Sequence, residues 1–341
     1  MKILITGGCG FIGSNFVRYW RKKYPEDEIV VLDKLTYAGH KENLSGIEHK
    51  FIQGDICDPS VVAGAMQGAD VVVHFAAESH VDRSIIGPGV FIRTNVIGTH
   101  VLLEEALRQK IKLFHHVSTD EVFGSLPLDK SELRFNETTN YSPSSPYSAS
   151  KASSDHLVRA YYRTFGLPIT ITNTSNNYGP YQDPEKLIPR FVTNLIEGKK
   201  VPLMGNGENV RDWCYVEDHC SAMDLVITGA LKDQKIIGET FCVGGDSEKS
   251  NIEITNILLE IFEKDNSWIE KIQHRLGHDE RYAIDSSKIK KMLGWEPGNK
   301  LEDRLAETVQ WYKDNEWWWK PLKEGRPVID PDVQLERVSK V

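Results

Sequence analysis

The chain has 341 residues, 40% apolar and 26% charged, with a net charge of −8. That length predicts roughly two domains, or one large domain with an annex, around a sizeable core, and the composition excludes a fibrous or largely disordered chain. Mild acidity argues against broad nucleic-acid binding, apolar runs such as Val71–Phe75 are too short to cross a bilayer, and Met1–Gly7 lacks the basic leader and apolar core of a signal peptide.

The first half alternates strand-like and helix-like segments. Lys2–Thr6 reads as a strand and Phe11–Arg21 as a helix. Ile29–Leu32, Phe51–Gln53 and Val71–Phe75 are further strands. A helical stretch covers Val90–Arg108, followed by a strand at Leu113–Val117, a long helix at Tyr147–Thr164 and a strand at Ile169–Thr172. This alternation predicts an α/β fold: a Rossmann-type, doubly wound parallel sheet with helices on both faces. Past residue 175 the segments shorten and Pro and Gly become frequent. The expected division is a nucleotide-binding domain at 1–175, a smaller C-terminal α/β substrate domain at 176–325 with interleaved elements, and a tail at 326–341. Trp317-Trp318-Trp319 reads as a packed or partner-facing aromatic cluster rather than a ligand platform. Cys9, Cys57, Cys214, Cys220 and Cys242 form no C-x-x-C pair and are odd in number, which predicts neither a disulfide framework nor a zinc site and suits a reduced cytoplasmic setting.

Between the first strand and first helix, Gly8, Gly10 and Gly13 satisfy G-x-G-x-x-G, and Gly7, Gly10 and Gly13 a second glycine spacing. Glycines there let the backbone approach a pyrophosphate while the helix aims free N–H groups at it. Asp33 ends the second strand, 20 residues past Gly13, where a carboxylate accepts from a ribose diol and repels a 2′-phosphate. The expected cofactor is NAD. Asp55 and Ile56 stand at the third strand end, flanking the adenine.

Tyr147 and Lys151 are four residues apart on one helix face. A neighbouring ammonium favours the phenolate and makes Tyr147 a base. Thr119 is placed to bond the same substrate hydroxyl. Asp120 and Glu121 follow it. An elimination needs one carboxyl protonated and one ionised, and different environments can separate their pKa values. His74, His80, His115 and His116 read as core or loop histidines, with no metal expected; His115 and His116 face opposite ways in a strand.

These motifs, with Ala76-Ala77-Glu78-Ser79-His80-Val81-Asp82-Arg83-Ser84, Asn176-Asn177-Tyr178-Gly179-Pro180, Pro184-Glu185-Lys186-Leu187-Ile188-Pro189, Arg211-Asp212-Trp213 and Gly277-His278-Asp279, resemble the extended short-chain dehydrogenase/reductases over about residues 1–320. Within that family the chain resembles the nucleotide-sugar 4,6-dehydratases, to which the Thr-Asp-Glu step and Pro-Glu-Lys segment are most specific. The resemblance implies dehydration of a nucleoside-diphosphate glucose, foremost the thymidine form, rather than 4-epimerisation, decarboxylation or NAD sensing. Tyr147 takes the proton of the 4-hydroxyl as carbon 4 gives hydride to NAD; Glu121 removes the carbon 5 proton; Asp120 protonates the departing 6-hydroxyl; hydride returns to carbon 6.

The resemblance also assigns contacts. For the cofactor they are Gly7, Gly10, Phe11, Ile12, Gly13, Asp33, Lys34, Leu35, Thr36, Asp55, Ile56, Ala76, Ala77, Ser79, Thr94, Tyr147, Lys151 and Asn177. For the substrate they are Ser79, Thr119, Asn176, Glu185, Lys186, Leu187, Arg211, Asn251, Asp279, Arg281 and Tyr282. A homodimer through a four-helix bundle is expected from the helices around 90–108 and 150–164. Two residues depart from the family: Phe123 replaces a usual tyrosine, with little catalytic effect expected, and Cys242 a common asparagine, expected to alter packing near the nucleotide.

Overall fold

The structure, a computed structural model, describes residues 1–324 except 275, 276 and 299; the expected tail at 326–341 lies outside the described residues. The first half runs β1 (Lys2–Thr6), α1 (Phe11–Lys23), β2 (Glu28–Asp33), β3 (Lys50–Gln53), α2 (Pro59–Met66), β4 (Val71–His74), α3 (Val81–Ile86), α4 (Pro88–Phe91), α5 (Thr99–Gln109), β5 (Leu113–Thr119), α6 (Pro146–Phe165) and β6 (Ile169–Thr174). There follow β7 (Asn176–Tyr178), α7 (Leu187–Ile196), β8 (Val201–Met204), β9 (Val210–Tyr215), α8 (Val216–Ala230), β10 (Thr240–Val243), β11 (Glu248–Ser250), α9 (Asn251–Ile261), β12 (Ile269–Ile272), α10 (Ser287–Leu293), α11 (Leu301–Asp314) and α12 (Glu316–Lys323).

Seven strands form one sheet in the order β10-β6-β5-β4-β1-β2-β3, and every pairing in it is parallel. Its central strands are rich in β-branched residues and buried on both faces, as parallel strands between two helix layers must be. Alternate side chains divide the core. Ile3, Ile5, Val71 and Val73 pack with α1 and α8, whereas Leu4 and Val72 pack with α2, α5 and α6. The strand order reverses between β1 and β4, and that switch point opens a crevice at the strand ends.

A three-stranded sheet (β11-β9-β7) and a two-stranded one (β12-β8) lie outside the main sheet. They pack with α7, α9, α11 and α12 around a third core that includes Tyr178, Phe191, Trp213, Tyr312 and Trp319. Strand β10 returns to the edge of the main sheet beside β6, so the chain crosses between the two regions more than once.

Helix α6 is fixed at both ends. Ser145 and Ser148 form a reciprocal capping box, Pro146 starts the first turn, and Gly166 closes the helix with φ +70°. The expected continuous helix over 90–108 is instead α4, a π-turn at Ile92–Gly98, and α5. The wider turn carries Asn95 inward, where its amide bonds both Glu78 N–H (2.8 Å) and Glu78 C=O (3.0 Å) and donates to Ser150 Oγ (2.8 Å). The π-turn thereby ties the loop after β4 to α6.

Candidate active site

A cleft of about 1400 Å³, counting its open mouth, lies at the β1/β4 switch point. Its floor is the glycine turn. Gly7 has φ +71°, and a Cβ there would sit 2.6 Å from Ala76 N; a Cβ on Gly13 would sit 2.3 Å from Gly7 O. Helix α1 begins at Gly10 with no side-chain cap and no acidic residue in its first turn. Its N–H groups and positive dipole end are left for an anion. Asp33 is 8% exposed. Its Oδ2 accepts from Cys9 N (2.9 Å) and its Oδ1 from Leu35 N (2.8 Å). Burial pushes its pKa up and the two N–H groups pull it back. Asp55 is held below the usual range: burial opposes this, but Cys57 N–H and Lys34, at 2.9 Å, outweigh it. The bare glycine cradle and the carboxylate at the rim fit a dinucleotide without a 2′-phosphate.

Of the expected cofactor contacts, Gly7, Gly10, Phe11, Ile12, Gly13, Asp33, Lys34, Thr36, Asp55, Ile56, Ala76, Ala77, Ser79, Thr94, Tyr147 and Lys151 line this cleft. Leu35 and Asn177 do not. Leu35 takes φ +57° and turns its N–H onto Asp33. Asn177 is a brace: its amide donates to Thr174 Oγ1 (3.0 Å) and Ser175 O (2.9 Å), and its Oδ1 meets His219 Nδ1 at 3.0 Å.

Strand β5 carries the chemistry at its end. Lys151 Nζ reaches across to Val117 O at 2.8 Å. Burial lowers its pKa to about 8. The expected lowering of Tyr147 by Lys151 is therefore corrected. Burial, then Glu121 and Asp120, push the phenol well above its ordinary value, and a hydrogen bond with Thr119 opposes them. Thr119 also caps the turn that follows, accepting from Glu121 N at 3.2 Å.

Asp120 is 1% exposed, and its Oδ2 has no hydrogen-bond partner among the described residues. Burial, then Glu121 and Asp212, push its pKa well above the carboxylate range, against Arg211 and Thr119. That direction favours the protonated acid. Glu121, half-buried, stands beside it and acts on the charges of both Tyr147 and Tyr282. Behind the pair, Cys242 packs with Val122, Phe123, Phe135, Tyr282 and Ile284. Phe123 stacks on Phe135 at 5.1 Å. Cys242 is thus part of the apolar packing near the acid.

Glu185 and Lys186 line the cleft with Ser79. Lys186 Nζ donates to Ser79 O at 3.2 Å, and Glu185 pairs with Arg83 at 2.7 Å. Leu187 opens α7 and leans on the third core. Arg211 lies over the Tyr282 ring at 4.2 Å and donates to Val210 O and Asp279 O. Asp279 in turn accepts from Ser144 and Tyr282 hydroxyls. Asn176 and Asn251 each hold a buried Oδ1 without a hydrogen-bond partner among the described residues. Arg281 differs from its expected role. Its donors go to Glu248 and to the carbonyls of Lys130, Ser131 and Leu133, so it clamps that loop rather than presenting a free fork.

The cleft also includes residues that sequence patterns did not single out as contacts: Tyr37, His40, Glu78, His80, Tyr181, Gln182 and Trp318. His80 and Glu78 were legible as neighbours of Ser79. Trp318 was assigned to packing; it does pack against Trp311 at 5.3 Å, but it also forms cleft wall.

Residues 4–308 match the model of the family described as GDP-mannose 4,6 dehydratase. A dTDP-glucose 4,6-dehydratase of Escherichia coli is 48% identical, covering 95% of this chain and 97% of that protein. The crystal structure of a dTDP-glucose 4,6-dehydratase from Streptomyces venezuelae with NAD bound superposes with a TM-score of 0.90 at 48% identity, covering 95% of this chain and 100% of that one. A Thermotoga maritima UDP-glucose 4-epimerase with UDP-glucose follows at TM-score 0.85 and 30% identity, over 93% and 100% of the two chains.

Removing the charge of Asp33 should erode selection against a 2′-phosphate. Asp33→Asn is expected to lower the ratio of NADP to NAD dissociation constants about tenfold, the equivalent of about 1.4 kcal/mol. Calorimetry with both dinucleotides checks this; an unchanged ratio would remove Asp33 from the discrimination.

Proposed function

The chain belongs to the GDP-mannose 4,6-dehydratase family, and we infer that it is an NAD-dependent hydro-lyase that converts dTDP-glucose to the 4-keto-6-deoxy sugar nucleotide and water. The observation that carries this reading is the split acid pair: Asp120, buried and neutral, beside Glu121 in a wetter place. A 4-epimerase has no use for an acid and a base at carbons 6 and 5; an elimination needs both.

The glycine turn, Asp33, Lys34, Thr36, Asp55, Ile56, Ala76, Ala77 and Thr94 would hold NAD. Bound there, NAD supplies the hydride acceptor for carbon 4 and the hydride later returned to carbon 6. The remaining steps fall to this chain's own residues. Tyr147 takes the proton of the 4-hydroxyl, with Thr119 holding the same oxygen. Lys151, its pKa lowered by burial to about 8, stands one turn along the same helix face and gives up a proton more readily than a free ammonium at about 10.4. Oxidation makes the carbon 5 hydrogen acidic. Glu121 removes it, and Asp120 gives its proton to the leaving 6-hydroxyl, which departs as water; as hydride returns to carbon 6, a proton returns to carbon 5. Arg211, with Asn176, Lys186 and Asn251, supplies donors for the substrate, and Tyr282 supports the Arg211 guanidinium. In this scheme residues 1–175 mainly bind the dinucleotide and 176–325 mainly bind the sugar nucleotide.

The helical face around the π-turn and α6 supports a homodimer. Ile92 and Ile97 are each 49% exposed, Tyr162 37% and Phe165 54%, and a second copy burying them through paired α5 and α6 helices would form a four-helix bundle. Light scattering should give twice the 38.7 kDa chain mass; a monomer mass would discard the bundle. Five free thiols suit a reducing cytoplasm.

The division of labour is testable with Glu121→Gln. Loss of a general base typically costs about two to four decades in rate. Carbon 4 oxidation, followed by absorbance of reduced cofactor, should outlast exchange of the carbon 5 hydrogen with deuterated water, followed by mass analysis. Exchange and product formation at the parent rate would show that another group is the base.

A further inference from the structure

A hydrogen-bonded chain links the last helix to the glycine turn. Trp318, on α12, is 4% exposed. Its indole N–H donates to Asn43 Oδ1 at 2.7 Å, across 275 positions of sequence. Asn43 is 1% exposed, and its amide donates to Cys9 O at 2.8 Å. The N–H of Cys9 in turn donates to Asp33 Oδ2. Both the N–H and the carbonyl of Cys9, inside the glycine turn, are thereby held, the first by the carboxylate at the ribose position and the second by His40 N–H at 3.0 Å and by Asn43, which the C-terminal helix holds in turn.

A second path closes the loop. Arg18 of α1 donates to Asn43 O at 2.9 and 2.7 Å. Its guanidinium lies over the Tyr181 ring at 4.8 Å. The Tyr181 ring meets Trp318 edge-on, 5.6 Å between centroids at 89°. Tyr181 takes φ +66°, and the Pro180 carbonyl before it accepts from Asn15 at 2.9 Å. Both Trp318 and Tyr181 form wall of the dinucleotide cleft.

We propose that Trp318 and Asn43 are positioning residues that hold the rim of the cleft against the glycine turn and so set how long the dinucleotide stays bound. The proposal rests on the cleft being the NAD site. Its chemical sense follows from the reaction, which takes hydride from carbon 4 and returns it to carbon 6: cofactor lost between the two steps strands a ketone. For the rim to part, the buried Asn43 amide must lose its indole partner.

Release is measured on the full-length holoenzyme loaded with NADH, by stopped-flow fluorescence with excess NAD as chase. Trp318→Phe keeps an aromatic ring and removes the N–H; Asn43→Ser shortens the same link and covers the case in which the first variant fails to fold. Each should speed release at least tenfold. Trp319→Phe is the control. Trp319 is on the same helix, fully buried, and its indole N–H donates to Tyr312 O at 2.8 Å, but it does not reach the cleft. It should leave release within twofold of the parent. Release within twofold for Trp318→Phe and Asn43→Ser, or equal acceleration by Trp319→Phe, would overturn the proposal. A parent protein that holds no NADH would overturn the cleft assignment itself.

Discussion

One buried carboxyl group with too little compensation for a charge governs the site. Taking an ionised carboxylate out of water costs several kcal/mol unless a charge or a set of donors replaces the lost hydration. Asp120 has little of either: the opposing charge of Arg211 is outweighed, Thr119 makes a weak contact at 3.3 Å on one oxygen, the other has no hydrogen bond among the described residues, and a glutamate is its neighbour. The group responds by keeping its proton. Most of the surrounding architecture serves that condition. The apolar cluster of Phe123, Phe135, Cys242 and Ile284 keeps water from its back. Strand β5 ends at the crevice, with Ser118 in the cleft wall and Asp120 buried two residues further on. The departure at Cys242 fits this account, since a thiol is a small hydrophobe where an amide would have offered a donor.

The same strand end separates the redox half of the chemistry from the elimination half. Val117 holds Lys151 through its carbonyl, Thr119 holds Tyr147 through its hydroxyl, and the next two residues are the acid and the base. Five consecutive positions therefore address both halves of the reaction. They can do so because Ser145, Pro146 and Ser148 fix the start of α6 and with it the height of Tyr147 above the strand end. Buried charge beneath the site is handled differently. Asp155 sits 3.2 Å from His116 and accepts from Ser118 and Tyr141, which holds its carboxyl down to about 2. Two buried aspartates near one strand are thus shifted in opposite directions, Asp155 down by its hydrogen bonds and by the charges of His116 and Lys151, Asp120 up by burial and neighbouring carboxylates.

Much of this was legible in the sequence because its signals are local. Alternation of β-branched runs with helices gave the parallel sheet, and the glycine spacing with Asp33 gave the switch point. Tyr147 and Lys151 on one helix face, and the adjacent Asp120 and Glu121, were visible as pairs. What escaped depends on groups brought together from afar. The resemblance placed Arg281 among the substrate contacts, but spacing could not show its bonds to Glu248 and to the carbonyls of Lys130, Ser131 and Leu133. Asn177 looked like a cofactor contact until His219 and Thr174 closed on it. A π-turn leaves helical periodicity almost intact, so nothing in the spacing of 90–108 marks it. Trp318 carries no local mark of its place beside residue 43. The direction at Tyr147 escaped for a related reason: spacing shows that Lys151 shares its helix face, but not how deeply the phenol is buried or that Glu121 and Asp120 act on it.

The central claim is that Asp120 is a neutral acid at neutral pH. Isotope-edited infrared difference spectroscopy of NAD-loaded protein, with labelled aspartate, compares the parent with Asp120→Asn at pH 7. The account predicts that the substitution removes a carbonyl band of a protonated carboxylic acid. Loss of carboxylate bands alone, with no protonated carbonyl band removed, would show Asp120 to be ionised and would contradict the assignment on which the elimination step rests.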